Sequence, residues 1–508
     1  MDSNQAANAA PQPLRQDAAQ PPPAPRAGSQ PPSLPITLLV LALLIVGAGG
    51  PLLRRFGAPL YPIAYMAAAL AVLTLPLVFV GGWRQRALGA SRLLLGRSIE
   101  QWSCFAVFVL FLAFYGVTRA GPTPFYEPSV QAVAFLHGHS WVDAPGHVEQ
   151  VSAACNISLP AARALPECDF TRFQGRTFLV HPPLAAIVMM PFVAAHGSVI
   201  DGADEYQPTV AVLLGAIEVA LAWRLLLLLG LSTSACIWLT AFFGIGTTLW
   251  YESTLGASWD FVLVVSVLPT LLALNELFGK ARPWVVGVFA ALAALGRNDL
   301  VMAWPIYGLI LLVRGRRIRD LFAMAPGFAM AAAVYGTFNY TRYGTFFDQS
   351  LWLWYRCCDG GGFNSTKTIP GPFSVHFLPP NLYTVLFLGW GFNSTAFPWV
   401  RPQGAGQALL FTSPAFVLAL RPSLKRAMTL LMWLASVLTM SASLTVYATG
   451  FVQFGTRYYV QIFPFLLVLV ALGVGPGKPP DQLTKILIVA SIFLVCFGLA
   501  QIRTIGFG

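Results

Sequence analysis

Long apolar runs, separated by short polar turns, recur along the chain from about residue 35 to its end. An α-helix of about 20 apolar residues crosses the hydrocarbon core of a bilayer. The runs predict membrane spans at roughly 35–53, 58–80, 102–118, 207–229, 232–250, 258–278, 283–296, 300–313, 321–338, 405–420, 427–449, 457–474 and 484–502. We therefore predict an all-α polytopic membrane protein, a bundle of about 13 transmembrane helices with further helices in its outer loops.

Two further apolar runs are predicted to remain at the outer membrane face. The run 178–197 opens with His181-Pro182-Pro183 and contains Pro191, and proline interrupts the hydrogen bonding of a helix. The run 382–398 is interrupted by glycine and proline in the same way. We expect a surface helix from the first run, and a re-entrant or surface helix from the second.

Basic residues occupy the turns that alternate with the outer loops. They are Arg84, Arg86, Arg92 and Arg97, then Lys280 and Arg282, then Arg314, Arg316, Arg317 and Arg319, then Arg421, Lys425 and Arg426, then Lys478 and Lys485. Because basic residues resist translocation, these turns are predicted to be cytoplasmic, together with the N-terminus. Two long polar segments, 119–206 and 339–404, then lie outside. Arg54 and Arg55 do not fit this scheme.

Composition supports the membrane assignment and excludes other classes. Hydrophobic residues make up 56% of the chain and charged residues 10%, whereas soluble proteins carry about 25% charged residues. The net charge of +11 is spread over separate turns, so a nucleic-acid partner is not expected. The sequence has no phosphate-binding glycine-rich loop and no Asp-x-Asp in its basic turns, which argues against direct use of a nucleotide sugar.

Histidines and cysteines concentrate in the two outer segments. Cys155 and Cys168 either form a disulfide in an oxidising compartment or remain free thiols. His137 and His139 lie two apart without a third ligand at helical spacing, so no metal site is predicted. The need for a divalent cation as cofactor stays open.

Three acidic residues beside predicted spans are the strongest candidates for chemistry. They are Glu127, Glu252 and Asp260. Carboxylates are unfavourable near a membrane interior unless they serve a function, and such a group can take a proton from an acceptor. The alternative interpretation for both Asp260 and Glu252 is helix capping, since backbone N–H groups in the first turn of a helix favour an anion.

Several short motifs resemble, in their order along residues 102–475, the bacterial membrane glycosyltransferases of the C superfamily. The motifs are Gly121-Pro122-Thr123-Pro124, Ala134-Phe135-Leu136-His137-Gly138, Gly175-Arg176-Thr177-Phe178, His181-Pro182-Pro183-Leu184, Met190-Pro191-Phe192, Gly246-Thr247-Thr248-Leu249-Trp250, Leu295-Gly296-Arg297-Asn298-Asp299, Asn339-Tyr340-Thr341-Arg342-Tyr343-Gly344-Thr345-Phe346-Phe347, Phe411-Thr412-Ser413-Pro414 and Phe454-Gly455-Thr456-Arg457-Tyr458-Tyr459. That superfamily includes protein O-mannosyltransferases and lipid A aminoarabinose transferases. The resemblance implies a donor sugar on polyprenyl phosphate, transferred to a lipid, glycan or protein acceptor outside the cytoplasm.

The resemblance also suggests roles for individual residues. Glu127 matches the first-loop acid and Asp260 the second-loop acid, while relatives often carry an acid where this chain has Val133. The donor phosphate needs a cation, since its charge grows as the glycosidic bond breaks. Arg457 is the first choice, and the other predicted substrate contacts are Arg342, Arg297, His181 and Tyr458. Snorkelling to the interface is the alternative for the arginines.

Composition, the apolar runs and the resemblance together divide the chain into five predicted parts. They are a disordered cytoplasmic tail (1–34), two helices with a basic loop (35–101), the catalytic core (102–338), the second outer loop (339–404) and the C-terminal helices (405–508). The first part, rich in Pro, Ala and Gln, is not expected to fold. The resemblance implies a multi-pass protein of a bacterial inner membrane with an extracytoplasmic active site. Two other functions stay open: a lipid or glycolipid transporter, and a non-catalytic partner subunit, which Val133 would suit.

Overall fold

The structure, a computed structural model, describes residues 98–121, 123, 125–142, 169–196, 206–357, 371–392, 399–447, 450 and 453–504. The predicted tail, the first two predicted spans and most of the basic loop before residue 98 lie outside the described residues. So does the predicted pairing of Cys155 with Cys168.

Helices make up most of the described chain. The α-helices are α1 (Ser98–Thr118), α2 (Glu127–Leu136), α3 (Leu184–His196), α4 (Tyr206–Leu228), α5 (Thr233–Ile245), α6 (Leu249–Leu255), α7 (Ser258–Phe278), α8 (Pro283–Gly296), α9 (Trp304–Val313), α10 (Ala325–Tyr343), α11 (Ser350–Cys357), α12 (Leu378–Leu386), α13 (Leu409–Thr412), α14 (Ala427–Leu444), α15 (Phe463–Val474) and α16 (Gln482–Thr504). Short 3₁₀ helices cover Asn298–Ala303, Ile318–Met324, Val375–Phe377, Pro414–Leu420 and Arg457–Ile462.

The described residues contain seven helices that are long and apolar enough to cross a membrane, or eight if the bent pair α5 and α6 forms one span. The chain is thus a helical, multi-pass membrane protein, while the predicted count of about 13 spans is not confirmed. Two predicted spans, 283–296 and 300–313, correspond to helices too short to cross alone.

The predicted span 405–420 is not one helix. A four-residue α-helix, α13, is followed by the 3₁₀ helix Pro414–Leu420, with Ser413 between them at φ −137° and ψ 68°. Proline disfavours helical backbone in the residue before it, which explains the break. The apolar composition of this stretch concealed that interruption.

Two antiparallel hairpins accompany the helices. Strand β1 (Phe170–Phe173) pairs with β2 (Arg176–Leu179), and β3 (Gly391–Phe392) with β4 (Val400–Arg401). The apolar run 178–197 therefore divides into a strand and the 13-residue helix α3, which continues through Pro191. In the run 382–398, the helix α12 has already ended at Leu386.

Close packing between helices depends on glycine at one crossing. A Cβ added to Gly327 of α10 would lie 2.5 Å from the backbone of Gly287 in α8. Small residues let helix backbones approach in this way, and they replace the hydrophobic driving force that lipid does not supply. The crossing holds α10 against α8.

The described basic turns and the candidate acids Glu252 and Asp260 lie at opposite ends of the bundle. The described basic turns meet at one end, where Arg316 donates to the Lys280 carbonyl (2.8 Å) and the Gly477 backbone N–H donates to the Gly230 carbonyl (2.9 Å). Glu252, Asp260 and Arg457 lie at the other end, because α7 runs from Asp260 to the Lys280 turn over 21 residues. An α-helix of that length measures about 30 Å, close to the thickness of a bilayer core.

Candidate active site

Glu127 is the first residue of α2 and is fully buried. Its backbone N–H donates to the hydroxyl of Ser258 (2.9 Å), and that hydroxyl donates to the Oε2 atom of Glu127. The Oε1 atom is buried without a hydrogen-bond partner among the described residues. One carboxylate oxygen is thus fixed by the protein, while the other is free to accept a proton or a hydrogen bond.

Asp260 and Glu252 lie across a tight turn from one another. Glu252 is on α6 and Asp260 in the first turn of α7, and both are fully buried. The turn uses Gly256, whose φ of 61° is left-handed and whose added Cβ would lie 2.6 Å from Cα of Pro208. The two carboxyl groups adjoin each other, close enough for a side-chain hydrogen bond when one carries a proton. Two such acids repel each other when both are charged, and a nearby cation reduces that repulsion.

Arg457 supplies that cation. It begins the 3₁₀ helix Arg457–Ile462, and its charge acts on Glu252, Asp260 and Asp169. Its guanidinium carbon is 5.1 Å from the ring centre of Trp259, and its Nη1 atom is buried without a hydrogen-bond partner among the described residues. The arginine therefore faces the acids and still has a donor to offer.

Asp169 and His181 bring a further charged pair to this end of the bundle. They flank the β1–β2 hairpin, which closes with a hydrogen bond from the Val180 backbone N–H to the Asp169 carbonyl (2.8 Å). The Nε2 atom of His181 is 3.3 Å from an Asp169 carboxylate oxygen. Asp169 has φ 60°, a left-handed conformation that aspartate adopts more readily than most residues. We call Glu127, Asp169, Glu252 and Asp260 the acidic site.

The environment moves the pKa values of Glu127 and Asp169 in opposite directions. Burial, and then the negative charge of Asp169, raise the pKa of Glu127 well above its usual value. Burial also acts to raise the pKa of Asp169, but His181 and Arg457 together lower it below its usual value. Neighbouring acids with opposite shifts are typical of sites that perform acid–base chemistry, although structural ion pairs produce them too.

Arg297 and Tyr458 lie at the edge of the acidic site. Arg297 pairs with Asp299 at 3.1 Å, and its guanidinium carbon is 5.2 Å from the Tyr458 ring centre. Asp299 also accepts hydrogen bonds from Ser443 (2.8 Å) and Gln461 (2.7 Å). The charge of Arg297 reaches Glu252. Its direct partners, however, make it part of a structural network.

Arg342 stands apart from the acidic site. Its Nη2 atom donates to the Leu179 carbonyl and to the hydroxyls of Tyr343 (2.5 Å) and Ser350 (2.9 Å). Arg342 is not among the charges that act on Glu127, Asp169, Glu252 or Asp260. The structure therefore brings Arg457 to the predicted acids and leaves Arg342 on the other side of the hairpin.

Val133 does not face the acidic site. Its side chain packs with the apolar cluster that includes Leu184 and Met189 of α3. Nearby, the ring nitrogens of His137 and His139 bond to the carbonyls of Val133 (2.9 Å) and Trp141 (2.8 Å). Within the described ranges, no group of three His, Cys, Asp or Glu side chains is arranged to hold a metal ion.

Sequence reasoning missed three residues of this site: Asp169, Ser258 and Trp259. Asp169 lies within a polar loop with no apolar periodicity, so no pattern marked it. Ser258 and Trp259 directly precede Asp260, and this adjacency was the one available signal. No family model, curated protein sequence or solved structure matches the chain.

Proposed function

We propose that the protein transfers a sugar from a polyprenyl-phosphate donor to an acceptor at the extracytoplasmic face of a membrane. The observation that carries this proposal is a half-buried arginine with an unpaired donor, Arg457, among the carboxyl groups of the acidic site. Such a site can take a proton from a nucleophile and stabilise a leaving phosphate in the same small volume.

The reaction is a displacement at the anomeric carbon. An acceptor hydroxyl gives its proton to a carboxylate, and its oxygen forms the new bond to the anomeric carbon. The bond from that carbon to the phosphate oxygen breaks, and polyprenyl phosphate leaves with the electron pair. Glu127 is the proposed base because its Oε1 atom has no partner in the described chain. The negative charges of Glu252 and Asp260 are proposed to favour the position of the Arg457 guanidinium and to orient the acceptor.

Arg457 is assigned to the donor phosphate. A guanidinium binds phosphate through parallel hydrogen bonds, and the interaction strengthens as charge develops on the leaving group. His181, held by Asp169 at 3.3 Å, borders the same site and is proposed to contact donor or acceptor. The sequence resemblance to membrane glycosyltransferases of the C superfamily adds the expectation that the donor enters sideways from lipid.

The membrane orientation is part of the proposal. The basic turns would lie in the cytoplasm of a bacterial inner membrane, and the acidic site would lie outside. Single cysteines replacing Gln174 and Arg316, both exposed, test this with an impermeant thiol reagent. We expect labelling of intact cells at position 174 and not at 316, and the reverse pattern would invert the topology.

The decisive experiment compares saccharides of the cell envelope by mass spectrometry in cells with and without the gene. We expect the loss of one sugar substituent, restored by the parent protein and not by Asp260→Asn. If no saccharide changes mass, transfer is not the function. Restoration by Asp260→Asn, present at parental levels, would remove the catalytic assignment.

Lipid or glycolipid transport is a second candidate, favoured by the bend of 51° between α5 and α6. Broken helices of this kind often form transporter binding sites, and Glu252 lies on the second half. Movement of a labelled glycolipid from one leaflet of the proteoliposome membrane to the other, with no acceptor present, would favour transport. Release of free polyprenyl phosphate only in the presence of an acceptor would favour transfer.

A further inference from the structure

A polar cavity of 390 Å³ lies between the turn of the β1–β2 hairpin and the C-terminal end of α10. We call it the arginine pocket, and its polar lining includes Gln174, Arg176, Tyr340 and Arg342. Among the described residues, two guanidinium groups line it and no acidic side chain does. Its charge thus favours an anion.

Arg342 is the buried cation of this pocket, with only 4% of its surface exposed. Its Nε atom has no hydrogen-bond partner in the described part of the chain. Among the described residues Arg342 forms no direct ion pair, and the nearby Asp348 accepts a hydrogen bond from the Tyr335 hydroxyl (2.7 Å). A buried charge without a directly paired carboxylate is unfavourable, so a bound anion would stabilise this arrangement.

Arg176 places a second guanidinium at the mouth of the pocket. Its guanidinium carbon lies 3.9 Å from the ring centre of Trp141, which fixes its position on the hairpin. Two arginines, one buried and one exposed, suit a phosphate group better than a single negative point charge, because each offers parallel N–H donors.

An apolar groove of 470 Å³ adjoins the arginine pocket. It runs between α3 and α10, and Phe135, Ile187, Ala333 and Phe338 are among its lining residues. The guanidinium carbon of Arg342 is 4.3 Å from the ring centre of Phe338. Arg342, which lines the pocket, therefore packs on Phe338, which lines the groove.

The positions of the arginine pocket and the groove along the span match those of the phosphate and an acyl chain of a lipid. Arg342 is the penultimate residue of the candidate span Ile318–Tyr343, and the groove lies on the preceding turns of the same helix. Lipid phosphates lie at the end of a span, and acyl chains lie along it. We propose that one anionic phospholipid of the surrounding membrane binds here, with its phosphate between Arg176 and Arg342 and one acyl chain along the groove.

This lipid is not the proposed sugar donor. The donor phosphate is assigned to Arg457, and no residue of the acidic site lines the arginine pocket or the groove. The inference goes beyond the proposed function and stands whether or not the protein transfers a sugar.

The test is native mass spectrometry of the full chain, titrated with phosphatidylglycerol or with phosphatidylcholine of identical acyl chains. We expect one phosphatidylglycerol bound at least about tenfold more tightly than phosphatidylcholine, which is about 1.4 kcal/mol. Arg176→Gln is expected to remove most of this preference. Ala333→Trp places a large side chain in the exposed groove and is expected to weaken the binding of both lipids.

The matched control is Arg319→Gln, an exposed arginine at the opposite end of the bundle. Arg342→Gln removes three internal hydrogen bonds as well as a charge, so Arg176 and Ala333 carry the test. Equal binding of the two lipids, or unchanged binding in both variants, overturns the proposal. The proposal is also overturned if polyprenyl phosphate displaces phosphatidylglycerol and still does so in Arg457→Gln. The arginine pocket would then bind the sugar donor.

Discussion

Arg457 and Arg342 lie at the same end of the bundle, but their surroundings differ. Arg457 faces carboxyl groups from three separate segments, whereas Arg342 contacts a carbonyl, two hydroxyls and aromatic rings. An arginine among carboxylates is positioned for chemistry that moves protons and negative charge. One without a carboxylate partner is positioned to bind an anion. The residue type alone does not distinguish these roles.

The largest expected effect comes from Arg457 and Asp260. We expect Arg457→Ala and Asp260→Asn each to lower sugar transfer at least about 100-fold. The first removes the positive charge that stabilises the leaving phosphate, and the second removes the negative charge that orients the acceptor. Donor turnover by purified protein in proteoliposomes measures this, with Arg319→Ala as the control. Parental activity in both variants, with normal membrane insertion, would contradict the proposed site.

Substitutions of Glu127 separate its role as base from its role in packing. We expect Glu127→Gln to lower the turnover number about 100-fold, because the amide retains the size of the side chain but cannot take a proton. Ser258→Ala leaves the Glu127 carboxylate in place. We therefore expect it to lower the turnover number by only about tenfold. Equal losses in the two variants would indicate that Glu127 serves the structure only.

The charge of Asp169 is expected to set the pH at which Glu127 loses its proton. Transfer should rise with pH as Glu127 loses its proton, and the negative charge of Asp169 raises the pKa of Glu127. Asp169→Asn removes that charge, lowers the pKa of Glu127, and should move the acid limb of the pH–rate profile to lower pH. Asp320→Asn, at the basic end of the bundle, is the control. An unchanged limb, or one moved to higher pH, would contradict the coupling.

Arg297 is expected to have the smallest effect on chemistry. Because it pairs with the partly buried Asp299, Arg297→Gln should lower the thermal stability of the detergent-solubilised protein. Turnover per folded molecule should stay within about fivefold of the parent, a difference of about 1 kcal/mol. A large loss of turnover without a change in melting temperature would place Arg297 with Arg457 in the reaction.

The sequence alone predicted the membrane character and several helices closely. The helix α7 was predicted at 258–278 and is observed at Ser258–Phe278. Composition did not reveal where an apolar run is interrupted, as at Ser413 before Pro414, nor that the apolar stretch beginning at 178 starts as a strand. Length and hydropathy identify a run that can cross a membrane, whereas hydrogen bonding decides whether it remains one helix.

For the candidate site, the sequence supplied Glu127, Glu252, Asp260 and Arg457 as candidates, because charge beside an apolar span is unusual enough to notice. Only the tertiary structure brought Glu127 within hydrogen-bonding distance of Ser258, 131 residues away in the chain, and added the Asp169–His181 pair. The physical reason is burial. Polar groups at the end of a packed bundle must find partners wherever the folded chain brings them, and the linear order of residues does not contain that information.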